Sequence, residues 1–187
     1  FGVKIGYPDK WRDYSGLDCK EEYSYLECIL HCREFDIRWQ NSQLGLPVDK
    51  EKWEMNPQEI NAYYHPIMNE IVFPAGILQA PFFDAAQDDA YNYGAIGAII
   101  GHEMTHGFDD QGRKFDHEGN MKNWWQDEDV TEYKKRTDII RDQYSGYEVE
   151  GEKVNGELTL GENIADIGGL LIAFKAFSDK MNLDGTS

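Results

Sequence analysis

Residues 100–112 read IGHEMTHGFDDQG, and the fold follows from how this stretch is read. On a helix, His102 and His106 lie one turn apart, so both imidazoles leave the same face and can share a tetrahedral zinc. Glu103 is rotated away from both, yet it can reach a water that such a metal acidifies. The ordinary alternative is two helix-surface histidines beside a glutamate, a pattern that also arises by chance. The preceding turns, AIGAII (95–100), are apolar on every side. They put the histidines on a buried element, where polar groups without partners are costly. Asp109 falls on the same face, three residues after His106. A carboxylate there can accept a hydrogen bond from a ligand's other ring nitrogen. Helix-end and turn chemistry is the other reading of Asp109, and the preferred one for Asp110.

A catalytic zinc needs a third protein ligand and one open position. An extended histidine motif would place Gly at 109 and His at 112, but Asp109 and Gly112 stand there, which excludes that branch. His31, His65 and His117 have no ligand-like neighbours in sequence. The best third ligand is Glu162 in LTLGENIADIGGL (158–170), in the first turn of a second helix with Asp166 at i+4 on the same face. One short segment would then supply a metal ligand and a carboxylate to orient an imidazole. A helix-start acid favoured by the dipole, followed by a solvated acid, is the competing reading. Gly161, Gly168 and Gly169 with apolar residues between them imply tight internal packing, where two unpaired acids would be hard to tolerate.

Around these motifs lie 187 residues, enough for one domain with a core and too few for two comfortable ones. The chain is 41% hydrophobic and 28% charged, with a net charge of −17. A surface that acidic repels phosphate backbones and anionic bilayers, so nucleic-acid and peripheral-membrane roles are disfavoured, while cationic peptides would be attracted. AIGAII, the longest strongly apolar run, is too short to span a bilayer. The opening FGVKIGYPDKWRDYSG reads as the interior of a longer protein, so a fragment is expected. Cys19, Cys28 and Cys32 make an odd count. Cys28 and Cys32 are four apart on a helical pattern with roughly parallel Cβ vectors, so free thiols are the reading and the redox compartment stays open. As a zinc pair they would need two more ligands, and only His31 is near.

Along the chain, residues 1–16 read as an extended, packed lead-in. From Glu21 to about Asn41, Leu26, Ile29, Leu30 and Ile37 fall on helical spacing. Residues 44–57 form a loop. Ile60–Tyr64 and Glu70–Phe73 are strand-like runs joined by HPIMN, a hairpin. Pro74 and Pro81 place the proline-interrupted strand at a sheet edge. That edge is either simply capped or a template for an extended peptide. A helix begins near Asp89, in which Gly94, Gly97 and Gly101 imply close approach of another backbone. A loop (109–125), a helix from about Asp127 to Tyr144 and a turn-rich excursion (146–157) follow. The last helix, about Leu160–Lys180, carries Ile164, Ile167, Leu170, Leu171 and Phe174 on its apolar face.

Four ordered stretches, VKIGYPDKWRDYS (3–15), NAYYHPIMNEIVFPAGILQAPFFD (61–84), NYGAIGAIIGHEMTHGFDDQGRKFD (92–116) and VNGELTLGENIADIGGL (154–170), together resemble the neprilysin/endothelin-converting-enzyme family of zinc metallopeptidases over nearly the whole chain. The resemblance implies an α+β, thermolysin-like zincin catalytic domain, mainly helical with a small edge-exposed sheet. One zinc would sit on His102, His106 and Glu162, with Glu103 as general base and Asp166 orienting a ligand histidine. It implies Asn61 and Ala62 as residues binding the peptide backbone. Ile77, Phe82 and Ile99 would form an apolar pocket for the side chain after the scissile bond. Residues 1–187 would then be the central part of that domain. The enclosing helical domain and a later segment supplying a His and an Arg would lie outside them, so the piece is expected to bind zinc but cleave peptides weakly or not at all.

The favoured function is zinc-dependent endopeptidase action on oligopeptides at the amino side of hydrophobic residues, in an extracytoplasmic setting by resemblance. A pseudoenzyme acting as a non-catalytic zinc or peptide-binding module is the rival. A fold with no metal is a weaker one. The sequence sets neither the natural substrate nor the oligomeric state.

Overall fold

A computed structural model describes residues 1–183. The chain divides into two compact units, one formed by residues 1–7 together with Met55 onward, the other by Pro8–Glu54.

The first unit begins with strand β1 (Gly2–Gly6). The expected hairpin is present with its first strand displaced, β2 being Tyr63–His65 instead of Ile60–Tyr64; it pairs with β3 (Glu70–Pro74), antiparallel with Tyr63 opposite Val72 and His65 opposite Glu70. Asn69 turns the hairpin with a positive φ of 49°, a conformation asparagine tolerates better than most residues. β1 pairs with the other side of β3 in parallel register, from Gly2 opposite Glu70 to Gly6 opposite Pro74. The sheet order is therefore β1-β3-β2. This corrects the edge placement of the proline-ended strand: β3 is central, and β1 and β2 are the edges. Pro74 is tolerated because it is the last residue of β3, where the ladder is already ending. The long-range parallel pairing that covers β3 leaves no local trace in the sequence, where β1 looks like part of an extended lead-in.

A single helical run follows. It opens as α2 (Asp89–Asn92), capped by Asp88 accepting from the Tyr91 N–H at 2.7 Å, passes through a π-helical stretch at Tyr93–Gly97, and continues as α3 (Ala98–His106). Helix α4 spans Asp127–Ser145, a two-residue hairpin pairs β4 (Glu148–Val149) with β5 (Glu152–Lys153), and α5 runs Leu160–Leu183. The core is Ala62, Ile71, Phe73, Ile77 and Ile96, with Tyr64, Leu78, Phe82, Ile99 and Met104 packed on it. Each large aliphatic or aromatic side chain buried there contributes about 1.5–3 kcal/mol. This cluster holds the sheet on the helix that bears the histidines.

The second unit holds α1 (Tyr25–Ser42), four residues shorter at its start than the spacing suggested. Ser24 and Glu27 form a capping box there, which fixes the start of the helix.

Candidate metal centre

The site depends on how closely α3 and α5 cross. A Cβ on Gly169 would stand 2.5 Å from the carbonyl oxygen of Ala98 and from the backbone nitrogen of His102, and one on Gly101 would stand 2.7 Å from the Gly169 carbonyl. Only glycine allows the two backbones this near. Of the other two helix glycines, Gly97 meets Ala173 at ordinary contact distance and Gly94 has nothing within 4 Å, so the expected close packing is confined to Gly101. The buried residues of α5 near the crossing are small, with Ala165, Gly169 and Ala173 on one stripe, whereas Leu170 and Phe174 are 59% and 68% exposed. The helix meets α3 by its small residues.

The crossing brings Glu162 and Asp166 of α5 to the two histidines of α3. His102 Nε2 and His106 Nε2 are 2.9 Å apart, and Glu162 Oε2 lies 3.4 Å from the first and 3.7 Å from the second. Four ligands about 2.0–2.1 Å from a tetrahedral zinc stand roughly 3.3 Å from one another, close to this spacing. These three are the one group of at least three His, Cys, Asp or Glu ligand atoms within 4.8 Å of each other among the described residues. His102 Nδ1 is 2.8 Å from Asp166 Oδ1, and His106 Nδ1 is 2.7 Å from Asp109 Oδ2. A carboxylate only accepts, so each Nδ1 carries the proton and each Nε2 presents a lone pair. Two facing lone pairs at 2.9 Å repel unless a proton or a metal cation lies between them, and with Glu162 beside them the donor set fits a zinc ion.

Asp109 is 6% exposed and accepts at Oδ1 from the backbone N–H groups of Gln111 (2.8 Å) and Gly112 (2.7 Å). Burial works to raise its pKa, but the hydrogen bonds from His106, Gly112 and Gln111 prevail, and the carboxyl lies below its ordinary range. Burial pushes His106 the other way, toward neutrality, yet the Asp109 hydrogen bond and the charges of Glu162 and Glu103 outweigh it and raise the imidazole. Gly112 is required here, since a Cβ would stand 1.8 Å from the His106 carbonyl.

Glu103 is 5% exposed, and its carboxyl is raised by burial, an effect that the neighbouring His106 and His102 and the backbone N–H of Tyr64 partly offset. It lines a cleft of about 450 Å³ with His102, His106, Glu162 and the segment Asn61–Tyr64 of the sheet edge. Ile77, Phe82 and Ile99 do not line this cleft; they gather behind it, in the apolar cluster that contains Ala62. Tyr64, Gln111, Gly112 and Phe115 also line the cleft and were not singled out from sequence. The run of residues next to Asn61–Ala62 and His106 was the available signal for them. His31 stacks on Tyr23 at 4.9 Å, and His65 Nδ1 accepts from the Met68 N–H at 3.2 Å, both away from the metal set.

The family model described as Peptidase family M13 matches residues 61–187. An endothelin-converting enzyme homolog of Locusta migratoria is 47% identical over 92% of this chain and 25% of its own length. Endothelin-converting enzyme 1 of Homo sapiens is 45% identical over 97% of the chain and 24% of its own length. Among solved structures, Mycobacterium tuberculosis zinc metalloprotease 1 in complex with an inhibitor superposes with a TM-score of 0.88 at 48% identity, over 97% of this chain and 28% of that one. The chain thus spans about a quarter of the length of the curated relatives it matches.

Proposed function

The chain belongs to peptidase family M13, and on that premise we propose that it carries the zinc centre of an endopeptidase cutting oligopeptides on the amino side of hydrophobic residues. The observation that carries this reading is the meeting of His102, His106 and Glu162 beside a buried carboxylate, Glu103, in a cleft walled by the edge segment Asn61–Tyr64.

His102, His106 and Glu162 would hold one zinc, which supplies a Lewis acid that polarises the scissile carbonyl and acidifies water. Asp166 and Asp109 hold the two imidazoles in the tautomer that leaves Nε2 free. Glu103 takes a proton from the attacking water at its carboxylate and returns it to the leaving amine. Burial raises its carboxyl, which brings it closer to the basicity this shuttle needs. Asn61 and Ala62 bind the substrate backbone in extended form along the edge segment. Ile77, Phe82 and Ile99 gather behind the cleft, and would form the apolar pocket for a hydrophobic side chain after the scissile bond only where the wall at Ala62 opens to admit it. Peptides are the partners, and the setting is extracytoplasmic. No helix among the described residues is long and apolar enough to cross a membrane.

The 187 residues alone would bind zinc and cleave feebly, so turnover is measured in a protein of the relatives' full length and metal binding in the chain itself. The expected results are one zinc per chain and new amino termini at hydrophobic residues. Glu103→Gln should retain zinc and lose turnover. A folded chain that takes up no zinc overturns the metal assignment, and full activity in Glu103→Gln overturns the base. Zinc retained with no peptide cleaved at full length would favour a non-catalytic zinc or peptide-binding module.

A further inference from the structure

The unit Pro8–Glu54 lies wholly before the residues matched by the family model, which begin at 61, and within these 187 residues it has little core of its own. None of its residues is buried. Its order rests on the capping box of α1 and on Arg12, whose guanidinium stands 5.2, 4.8 and 4.5 Å from the ring centroids of Tyr14, Phe35 and Trp39. Units below roughly 70 residues that bury so little usually carry a covalent or metal staple.

All three cysteines fall in this unit. Cys19 lies in the segment before α1, Cys28 ends the first turn of the helix, and Cys32 is one turn further along. The Sγ atoms of Cys19 and Cys28 are 2.9 Å apart, about 0.9 Å beyond a disulfide bond length. A side-chain rotation of that size needs no backbone movement. Cys32 shares a helix face with Cys28, but their Cβ vectors run parallel, which disfavours a bond between them. A metal staple is not on offer, because no three ligand atoms here meet the way those of His102, His106 and Glu162 do among the described residues.

We propose that Cys19 and Cys28 form a disulfide that ties the segment before α1 to its first turn and leaves Cys32 as a free thiol. The reaction starts at Cys19, the exposed member of the pair. Its thiolate attacks a small-molecule disulfide, and one thiol of that oxidant leaves as a mixed disulfide forms on Cys19. Cys28 then gives up its proton as its sulfur attacks Cys19 Sγ and expels the second thiol. Two cysteine thiols are oxidised and one oxidant disulfide is reduced to two thiols. The order of events fits the local charges. The hydrogen bond to Cys19, with desolvation and the nearby Cys32 and Glu27, pushes the Cys28 thiol up to about 11, so it is a poor first attacker.

This inference is independent of the peptidase reading, and its test does not involve zinc. The 187-residue chain is equilibrated with oxidised glutathione, quenched with a maleimide and weighed intact, then digested with trypsin. The expected result is one maleimide per chain against three after reduction, and a linked pair of peptides spanning residues 13–20 and 21–33. The link should persist in Cys32→Ser and vanish in Cys28→Ser. Three labelled thiols in the oxidised wild type, a disulfide-linked dimer, or an equal yield of linked peptide in Cys28→Ser would each overturn it.

Discussion

The crossing of α3 and α5 and the segment around α1 are built in opposite ways. At the crossing, backbone meets backbone through Gly101 and Gly169, and the metal ligands are carried on the two helices that touch. Around α1 nothing is buried, and order comes from a cap, ion pairs and aromatic rings stacked about one guanidinium. The first arrangement fixes positions to a fraction of an ångström and tolerates no added atom. The second is assembled from contacts that each yield gradually. A site needing three ligand atoms within 4.8 Å of one another can be built on the first kind of contact and hardly on the second.

The largest expected effect is therefore a single methyl at the crossing. Gly169→Ala should weaken zinc binding by at least about 100-fold in a competition assay with a chromogenic chelator, because the helices must part to admit the Cβ. Unchanged affinity would break the comparison. Gly94→Ala sharpens it: the same change in the same helical run meets nothing, and should leave zinc binding alone while raising the melting temperature slightly.

Next come the carboxylates behind the histidines. Asp166→Asn or Asp109→Asn should each cost roughly 10–100-fold in zinc affinity with the fold intact by circular dichroism. Titration gives an effect of similar kind. His106 in the metal-free chain is raised above an ordinary histidine, so protons begin to compete with zinc at a higher pH than usual. As pH falls below that raised value, affinity should drop about tenfold per unit for the one proton displaced. An affinity that stays flat to well below an ordinary histidine's range would contradict the Asp109 contact.

The smallest effects belong to the α1 unit. Arg12→Met removes three cation–ring contacts and the ion pair with Asp36. It should cost about 1–2 kcal/mol of local stability by hydrogen exchange and leave zinc affinity untouched. Ser24→Ala should cost about 1 kcal/mol, read as faster exchange of the first-turn amides.

What the sequence made legible follows the same division. His102, Glu103 and His106 declare themselves by one-turn spacing, and Glu162 with Asp166 by another, because helical periodicity is a local property. The hairpin was legible for the same reason. β1 was not, since its pairing with β3 joins Gly2 to Glu70 across a long separation, and that hidden neighbour is why β3 was placed at an edge. Gly94 and Gly101 look alike in the sequence. Only the three-dimensional path of α5, which meets one and passes the other by, tells them apart. Ile167, Leu170, Leu171 and Phe174, the conspicuous apolar residues of α5, are exposed within this quarter-length chain, and the contact with α3 is made by alanines and glycines.

That packing has a consequence for inheritance. Where side chains mediate a contact, each substitution among them shifts the distance between the elements, and a lineage must repair one change with another. Here the separation of the ligand-bearing helices is set by main-chain atoms, which every residue type shares. A substitution that leaves Gly101 and Gly169 in place therefore leaves the main-chain contact that sets the distance from Glu162 to the two histidines. At Gly101, Gly169 and Gly112 an added Cβ would stand within 2.7 Å of main-chain atoms, so these positions admit no side chain without a shift of the backbone.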